Sequence, residues 1–112
     1  MPIPGLHLTQ IGGGDFLLEP SKSLNIRDQA RLIESITARL MQARASRLYY
    51  DLSSLSLIDP HYYAWLDKLA RSAQTINVRM ICVNMQPAAA FVLSKFISKM
   101  PAFETALGIY PG

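Results

Sequence analysis

The sequence contains one cysteine, Cys82, and no apolar run of the roughly 18 residues that a helix needs to span a bilayer. A lone thiol cannot form an internal disulfide or a cysteine-based metal cluster, so the fold must be held together by its apolar core. Residues 1–5 also lack the charged and apolar regions of a signal peptide. We therefore expect a cytoplasmic protein with no cofactor and no direct membrane insertion.

Charge is scarce as well, because Asp, Glu, Lys and Arg make up only 17% of the chain and the net charge is +3. The basic residues are scattered, and Arg27, Arg31 and Arg39 fall on the solvated side of a predicted helix. This pattern lacks the dense basic patch that binds nucleic acid. Half of the 112 residues are hydrophobic, which excludes a disordered tail and predicts one globular domain over residues 1–112.

Turn residues and the spacing of apolar residues divide the chain into alternating strands and helices. Strands are predicted at residues 6–11, 16–18, 48–52, 78–83 and 105–110, and helices at residues 25–45, 60–75 and 87–100. Strands that alternate with helices form parallel pairs, whereas the first two strands form a hairpin around Gly12–Gly14. The predicted fold class is α/β, with a mixed and mostly parallel sheet of about four or five strands and about three or four helices.

The second helix has the clearest local signals. Asp59 and Pro60 mark its start, because an aspartate carboxylate caps free N–H groups and proline tolerates the first helical position. Its predicted core stripe consists of Tyr62, Leu66, Leu69, Ala70 and Ala73. Trp65 lies off this stripe, and Phe91 lies on the polar side of the third helix. Large aromatic side chains in such positions either lie at protein interfaces or pack against a loop, and we list both as candidates for a partner-binding surface.

Two stretches of the sequence carry a family likeness. Residues 50–59 (Tyr-Asp-Leu-Ser-Ser-Leu-Ser-Leu-Ile-Asp) precede a helix and resemble the D-L-S/T…I-D-S signature of STAS domains, the anti-sigma-factor antagonist modules. Asp51 and Asp59 occupy its two acidic positions. Residues 84–90 (Asn-Met-Gln-Pro-Ala-Ala-Ala) and 104–107 (Glu-Thr-Ala-Leu) resemble stressosome STAS proteins of the RsbS and RsbR type. The likeness covers residues 6–110 and implies a STAS fold, here without the final helix that often closes such domains.

The sequence departs from the STAS pattern at Pro60. In that family, the residue immediately after the second aspartate carries the hydroxyl that a partner kinase phosphorylates. Proline has no hydroxyl, so either the protein is locked in the unphosphorylated form or a neighbour, Ser56, Ser53 or Tyr62, is the acceptor. We favour the locked form, because the neighbours lie on other parts of the turn, and we keep Ser56 as the alternative phosphorylation site.

The resemblance implies a partner-binding surface on the turn and helix that run from residue 53 to residue 65. The expected partner-binding residues are Ser53, Ser56, Asp59, Pro60, His61, Tyr62, Trp65 and, on the third helix, Phe91. The role of Asp59 as a helix cap is sufficient on its own. Ser56, His61 and Asp59 also imitate a nucleophile–base–orienter set, but His61 and Asp59 flank a proline in a tight turn and no oxyanion donor is suggested. We therefore do not expect an enzyme.

The function implied by the resemblance is that of a non-catalytic regulatory interaction module. Its partners would be an anti-sigma factor or switch kinase and other STAS proteins, and copies of the chain could also associate with one another. The alternative is the small cytosolic STAS subunit of an ABC-type lipid transporter, which needs no switching serine and so suits Pro60. A small-ligand or enzymatic domain would require convergent polar groups in a pocket, and the sequence offers few.

Overall fold

The computed structural model describes residues 5–21, 24–89 and 102–109 of the chain. Its strands are β1 (Leu6–Gln10), β2 (Asp15–Pro20), β3 (Arg47–Asp51), β4 (Arg79–Val83) and β5 (Glu104–Ala106), and its complete helices are α1 (Gln29–Gln42) and α2 (Pro60–Thr75). Residues 87–89 begin a further helix, as Pro87 predicts. The remainder of the helix predicted for residues 87–100, with Phe91, lies outside the described residues, as does residue 110 of the last predicted strand.

The five strands lie side by side in sequence order in one mixed sheet. Strands β1 and β2 are antiparallel, and each later strand is parallel to the one before it. The predicted α/β class and mixed, mostly parallel sheet are therefore confirmed. Because β2, β3, β4 and β5 run in the same direction, the loops that leave β3 and β4 emerge at the same edge of the sheet.

The main core lies between one face of the sheet and the two helices. It contains Phe16, Leu18, Leu48, Tyr50, Met80 and Cys82 from the strands, and Ile36, Leu40, Trp65, Leu66 and Leu69 from the helices. A smaller cluster on the other face joins Tyr49, Ile81 and Val83. The two tyrosines of β3 thus point to opposite faces, as the alternation of a strand requires. Cys82 is fully buried, as expected for a small apolar residue in a central strand.

Helix α1 begins four residues later than its periodicity predicts, at Gln29 instead of residue 25. The Asn25 side chain accepts a hydrogen bond from the Arg27 amide at 2.9 Å, which holds a local turn ahead of the helix. Asp28 is the N-cap, and its carboxylate accepts from the Arg31 amide. A side chain that bonds to the nearby backbone competes with helix formation, so the helix starts only after Asp28.

The hairpin between β1 and β2 is closed by side-chain and backbone contacts. Gln10 Nε2 donates to the carbonyls of Gly12 and Gly13 at 3.3 and 3.0 Å. The Gly14 carbonyl accepts from the amide of Ser46 at 2.7 Å. A Cβ on Gly14 would lie 2.7 Å from Ser46 Oγ and 3.2 Å from Ser46 Cβ, so a larger residue would require Ser46 to shift. In the described part of the chain, neither helix is long and apolar enough to cross a membrane.

Candidate functional site: the carboxyl edge of the sheet

The loops that follow β3 and β4 are joined by hydrogen bonds where the two strands end. Asp51 Oδ1 accepts from the Ser53 amide at 2.9 Å and from Asn84 Nδ2 at 3.3 Å. Gln86 Nε2 donates to the Ser53 carbonyl at 2.8 Å. Asn84 has a φ of 60°, a left-handed conformation that asparagine tolerates better than most residues. The loop after β3 is therefore fixed against the loop after β4.

A third anchor ties the loop after β3 to the end of β2, and a fourth ties it to α2. Ser54 Oγ donates to the Pro20 carbonyl at 3.1 Å. Asp59 is the N-cap of α2, and its Oδ1 accepts from the Tyr62 amide at 2.7 Å. Pro60 occupies the first helical turn. The predicted helix start and its cap are both confirmed, and Asp59 satisfies an amide that the helix itself cannot.

The outer side chains of this anchored loop face solvent. We call them the carboxyl-edge surface, and it consists of Ser53, Ser56, Leu57, Asp59, Pro60 and His61, all exposed. Leu57 is 59% exposed, whereas its neighbour Ile58 is fully buried in the core. An exposed leucine beside a buried isoleucine is the feature that sequence reasoning missed, because both belong to one apolar run. Adjacent side chains of an extended loop point in opposite directions, and this alternation is the sequence signal that could have distinguished the exposed Leu57 from the buried Ile58.

A chain of three aromatic side chains connects this surface to the core. Trp65 Nε1 donates to the Tyr50 hydroxyl at 3.0 Å, and the hydroxyls of Tyr50 and Tyr62 lie 2.5 Å apart. The two tyrosine rings meet edge to face. Burial raises the pKa of Tyr62 to about 12, although the hydrogen bond between the Tyr62 and Tyr50 hydroxyls opposes this shift. Burial also raises the pKa of Tyr50.

The prediction that Trp65 lies at an interface is wrong, because its side chain is fully buried. Four of the five residues of the predicted core stripe of α2, Leu66, Leu69, Ala70 and Ala73, are fully buried. Trp65 lies off that stripe by helical angle, yet its indole reaches the Tyr50 hydroxyl on β3 and so joins the core. Tyr62, the fifth residue of the predicted stripe, is only half-buried, and its ring lies between the core and the carboxyl-edge surface.

Ser56, Asp59 and His61 lie in the same short segment, but Asp59 is engaged by the helix it caps. The arrangement thus offers a rigid, mostly polar surface with one prominent apolar side chain. Among the described residues, no group of three or more His, Cys, Asp or Glu side chains is placed to hold a metal ion. Likewise, no buried side-chain nitrogen or oxygen in the described segments lacks a hydrogen-bond partner.

No protein-family model matches the sequence, and no curated protein matches it either. The structure, in contrast, has clear relatives, and its fold is the STAS fold. RsbS from Moorella thermoacetica, as a serine-to-glutamate variant, superposes with a TM-score of 0.76 at 17% identity, over 91% of this chain and 88% of that one. A chain from the stressosome, described as a signal integration and transduction hub, gives 0.76 at 16% identity over 92% and 89%.

A third solved structure, the NMR structure of the protein TM1081, gives a TM-score of 0.65 at 18% identity. The match covers 85% of this chain and 73% of that one. At these identities the likeness establishes the fold, and it confirms the STAS architecture that residues 50–59 and 84–90 predict. What the fold does in this chain depends on its own residues.

Proposed function

We propose that this protein is a non-catalytic regulatory module that acts in the cytoplasm by binding a protein partner through the carboxyl-edge surface. The observation that carries the proposal is the combination of a rigid loop with exposed side chains. The loop is anchored to β2, to the loop after β4 and to α2, so the backbone that carries its outer side chains is held in place before a partner arrives. Preorganisation of this kind reduces the ordering cost of binding.

The partner class follows from the likeness to stressosome STAS proteins. We infer that the chain associates with other STAS proteins, and with an anti-sigma factor or a switch kinase, in a signal-transducing scaffold. Pro60 is exposed at the first position of α2, where a phosphate would meet the free amides of the helix N-terminus. Because proline has no hydroxyl, this module would remain in the unphosphorylated form at that position. Ser56, exposed in the same loop, is the alternative acceptor.

The test is affinity capture of the tagged protein from its native cytoplasm, with mass spectrometry of the bound proteins. A Leu57→Glu variant removes the apolar centre of the surface, and Met41→Glu is the matched control. The two side chains are 59% and 60% exposed, but Met41 lies in the last turn of α1. We expect STAS proteins and an ATP-binding kinase to be retained by the wild type and by Met41→Glu, and to be lost with Leu57→Glu.

Two results would contradict the proposal. Recovery of a permease with its ATPase would replace it with the transporter-subunit alternative. Equal recovery of the same partners by Leu57→Glu and the wild type would mean that binding uses another surface. Both variants should keep the wild-type circular dichroism spectrum, since substitutions of exposed residues change stability by only about 0.5 kcal/mol.

A further inference from the structure

Strand β1 forms one edge of the sheet, and its outer side offers backbone hydrogen-bonding groups. In the described sheet, β1 has only β2 as a neighbour. The Ser21 amide donates to the Gly5 carbonyl and the Ile11 amide donates to the Asp15 carbonyl, and these two bonds flank the strand. Antiparallel strands alternate between hydrogen-bonded and non-hydrogen-bonded pairs. His7 and Thr9 therefore bond to β2, and the backbone groups of Leu6, Leu8 and Gln10 point away from it.

Among the described residues, β1 itself carries none of the features that usually prevent an edge strand from pairing with another strand. Residues 6–10 read Leu-His-Leu-Thr-Gln and include no proline, lysine, arginine or carboxylate. Natural edge strands are commonly shortened, charged or interrupted by proline. The opposite edge follows that rule, because β5 has only three residues and carries the charged Glu104, whose carboxylate lies 2.6 Å from Arg79 Nη2. The contrast marks β1 as the edge that is suited to accept a further strand.

We propose that β1 pairs with β1 of a second copy of this chain, antiparallel and centred on Leu8. In this register Leu8 lies opposite Leu8 of the other copy, and Leu6 lies opposite Gln10. These are the three residues whose backbone groups point outward, and every hydrogen-bonded pair exchanges two bonds. His7 then lies opposite Thr9 of the other copy, so no like charges meet. The half-buried Leu8 side chain would then pack against Leu8 of the second copy.

A second copy is the occupant that this edge fits, because the strand is self-complementary about its central residue. A two-fold axis through Leu8 satisfies the same groups on both chains, as an isologous interface requires. The pairing would join two five-stranded sheets into one. It goes beyond the proposed function and does not depend on it, because the pairing uses the outward backbone groups of β1 and none of the exposed side chains of the carboxyl-edge surface.

Cysteine cross-linking tests the register directly. Residues in a non-hydrogen-bonded antiparallel pair have Cα atoms about 4.5 Å apart, within the range that a disulfide can bridge. We expect a mixture of the His7→Cys and Thr9→Cys variants to form a disulfide-linked dimer under mild oxidation. Each variant alone is its own control, since two copies of either residue would sit diagonally, roughly 8 Å apart, beyond disulfide reach. Equal yields for the mixture and for either single variant, or no cross-link, would overturn the proposal.

Sedimentation velocity on the unmodified chain gives an independent readout. We expect the wild type to shift from monomer to dimer as its concentration rises from roughly 10 µM to 1 mM. Leu8→Pro removes an outward amide that β2 does not use. Gln10→Lys places a charge at the edge, and its ammonium group can still donate to the Gly12 and Gly13 carbonyls that Gln10 contacts in the hairpin. Each should weaken the dimer about tenfold or more, while Leu57→Glu should leave it unchanged. A wild type that remains monomeric over the whole range contradicts the proposal.

Discussion

The indole of Trp65 donates to the hydroxyl of Tyr50 at 3.0 Å, inside the core between α2 and β3. The Tyr50 hydroxyl is also hydrogen-bonded to the hydroxyl of Tyr62, which lies in the first turn of α2 beside the cap Asp59. The start of α2 is thus held by its cap on the outside and by a hydrogen-bonded aromatic chain on the inside. The position of the carboxyl-edge surface therefore depends on the core as well as on its own loop.

Removal of either tyrosine hydroxyl should destabilise the protein, but not equally. Tyr62→Phe loses one hydrogen bond, which corresponds to about 1 kcal/mol. Tyr50→Phe also leaves the buried Trp65 N–H without its acceptor, so we expect a loss of about 2 kcal/mol or more. Urea denaturation followed by tryptophan fluorescence measures both. A Tyr50→Phe variant as stable as Tyr62→Phe would mean that the indole finds another partner.

Alkaline pH should weaken the fold through the same pair. The pKa of Tyr62 is raised from 10.0 to about 12 by burial, so the folded state holds its proton to higher pH than the unfolded chain does. The contribution of the protonated Tyr62 hydroxyl to the free energy of unfolding is therefore fully present below pH 10, and it is lost as the pH rises through about 12. Unfolding free energies measured from pH 8 to 12 should fall for the wild type, and less steeply for Tyr62→Phe. Equal slopes for the two proteins would contradict the assignment to this hydroxyl.

The cap at Asp59 should contribute to the stability of α2 independently of any partner. Asp59→Ala leaves the Tyr62 amide without its acceptor and should cost about 1 kcal/mol. Asp59→Asn keeps a capping oxygen and serves as the matched control, with a much smaller loss. Thermal denaturation compares the two variants. If Asp59→Asn were as destabilised as Asp59→Ala, charge at the helix end would outweigh the capping hydrogen bond.

Hydrogen exchange should reveal the link between the two loops. Gln86→Ala removes the bond to the Ser53 carbonyl, and we expect faster exchange in residues 52–57 with little change in α1. Ser72→Ala is a suitable control, because its hydroxyl donates to the Lys68 carbonyl within α2, away from both loops. Unchanged exchange in residues 52–57 would mean that the remaining anchors at Asp51 and Ser54 are enough.

Restoring a hydroxyl at position 60 should create a substrate for the kinase partner. Pro60→Ser places the acceptor at the first position of α2, where a phosphate is favoured by the helix dipole. With the captured kinase and ATP, Pro60→Ser should be phosphorylated and the wild type should not. The same pair of proteins carrying Ser56→Ala separates modification at the two sites. Failure to modify Pro60→Ser removes the main support for a kinase partner, and modification of the wild type at Ser56 contradicts the locked form.

Local signals predicted the elements that they control. Asp59 and Pro60 define the start of α2 because a cap and a helix-compatible proline act within one turn. The spacing of apolar residues predicts a start of α1 at Asn25, which is too early. The Asn25 side chain instead holds a turn with the Arg27 amide, and Asp28 then caps the helix. Competition between a local turn and a helix is decided by hydrogen bonds that spacing alone does not reveal.

The burial of Trp65 could not be predicted from the helix by itself. Its angle places it beside the core stripe, but its partner is a hydroxyl on β3, fifteen residues earlier in the chain. A long side chain can reach such a partner from a position that a helical projection leaves at the margin. For the same reason, the contacts of Asn84 and Gln86 with the loop after β3 appear only when the strands are assembled.

The most direct test of the proposed function is hydrogen exchange of the protein alone and in complex with its captured partner. Binding should slow exchange in residues 53–62, because those amides lie beneath the carboxyl-edge surface. Exchange in the last turn of α1, around Met41, should remain the same in both states. Protection confined to α1, with residues 53–62 unaffected, would contradict the claim that this protein works through the carboxyl edge of its sheet.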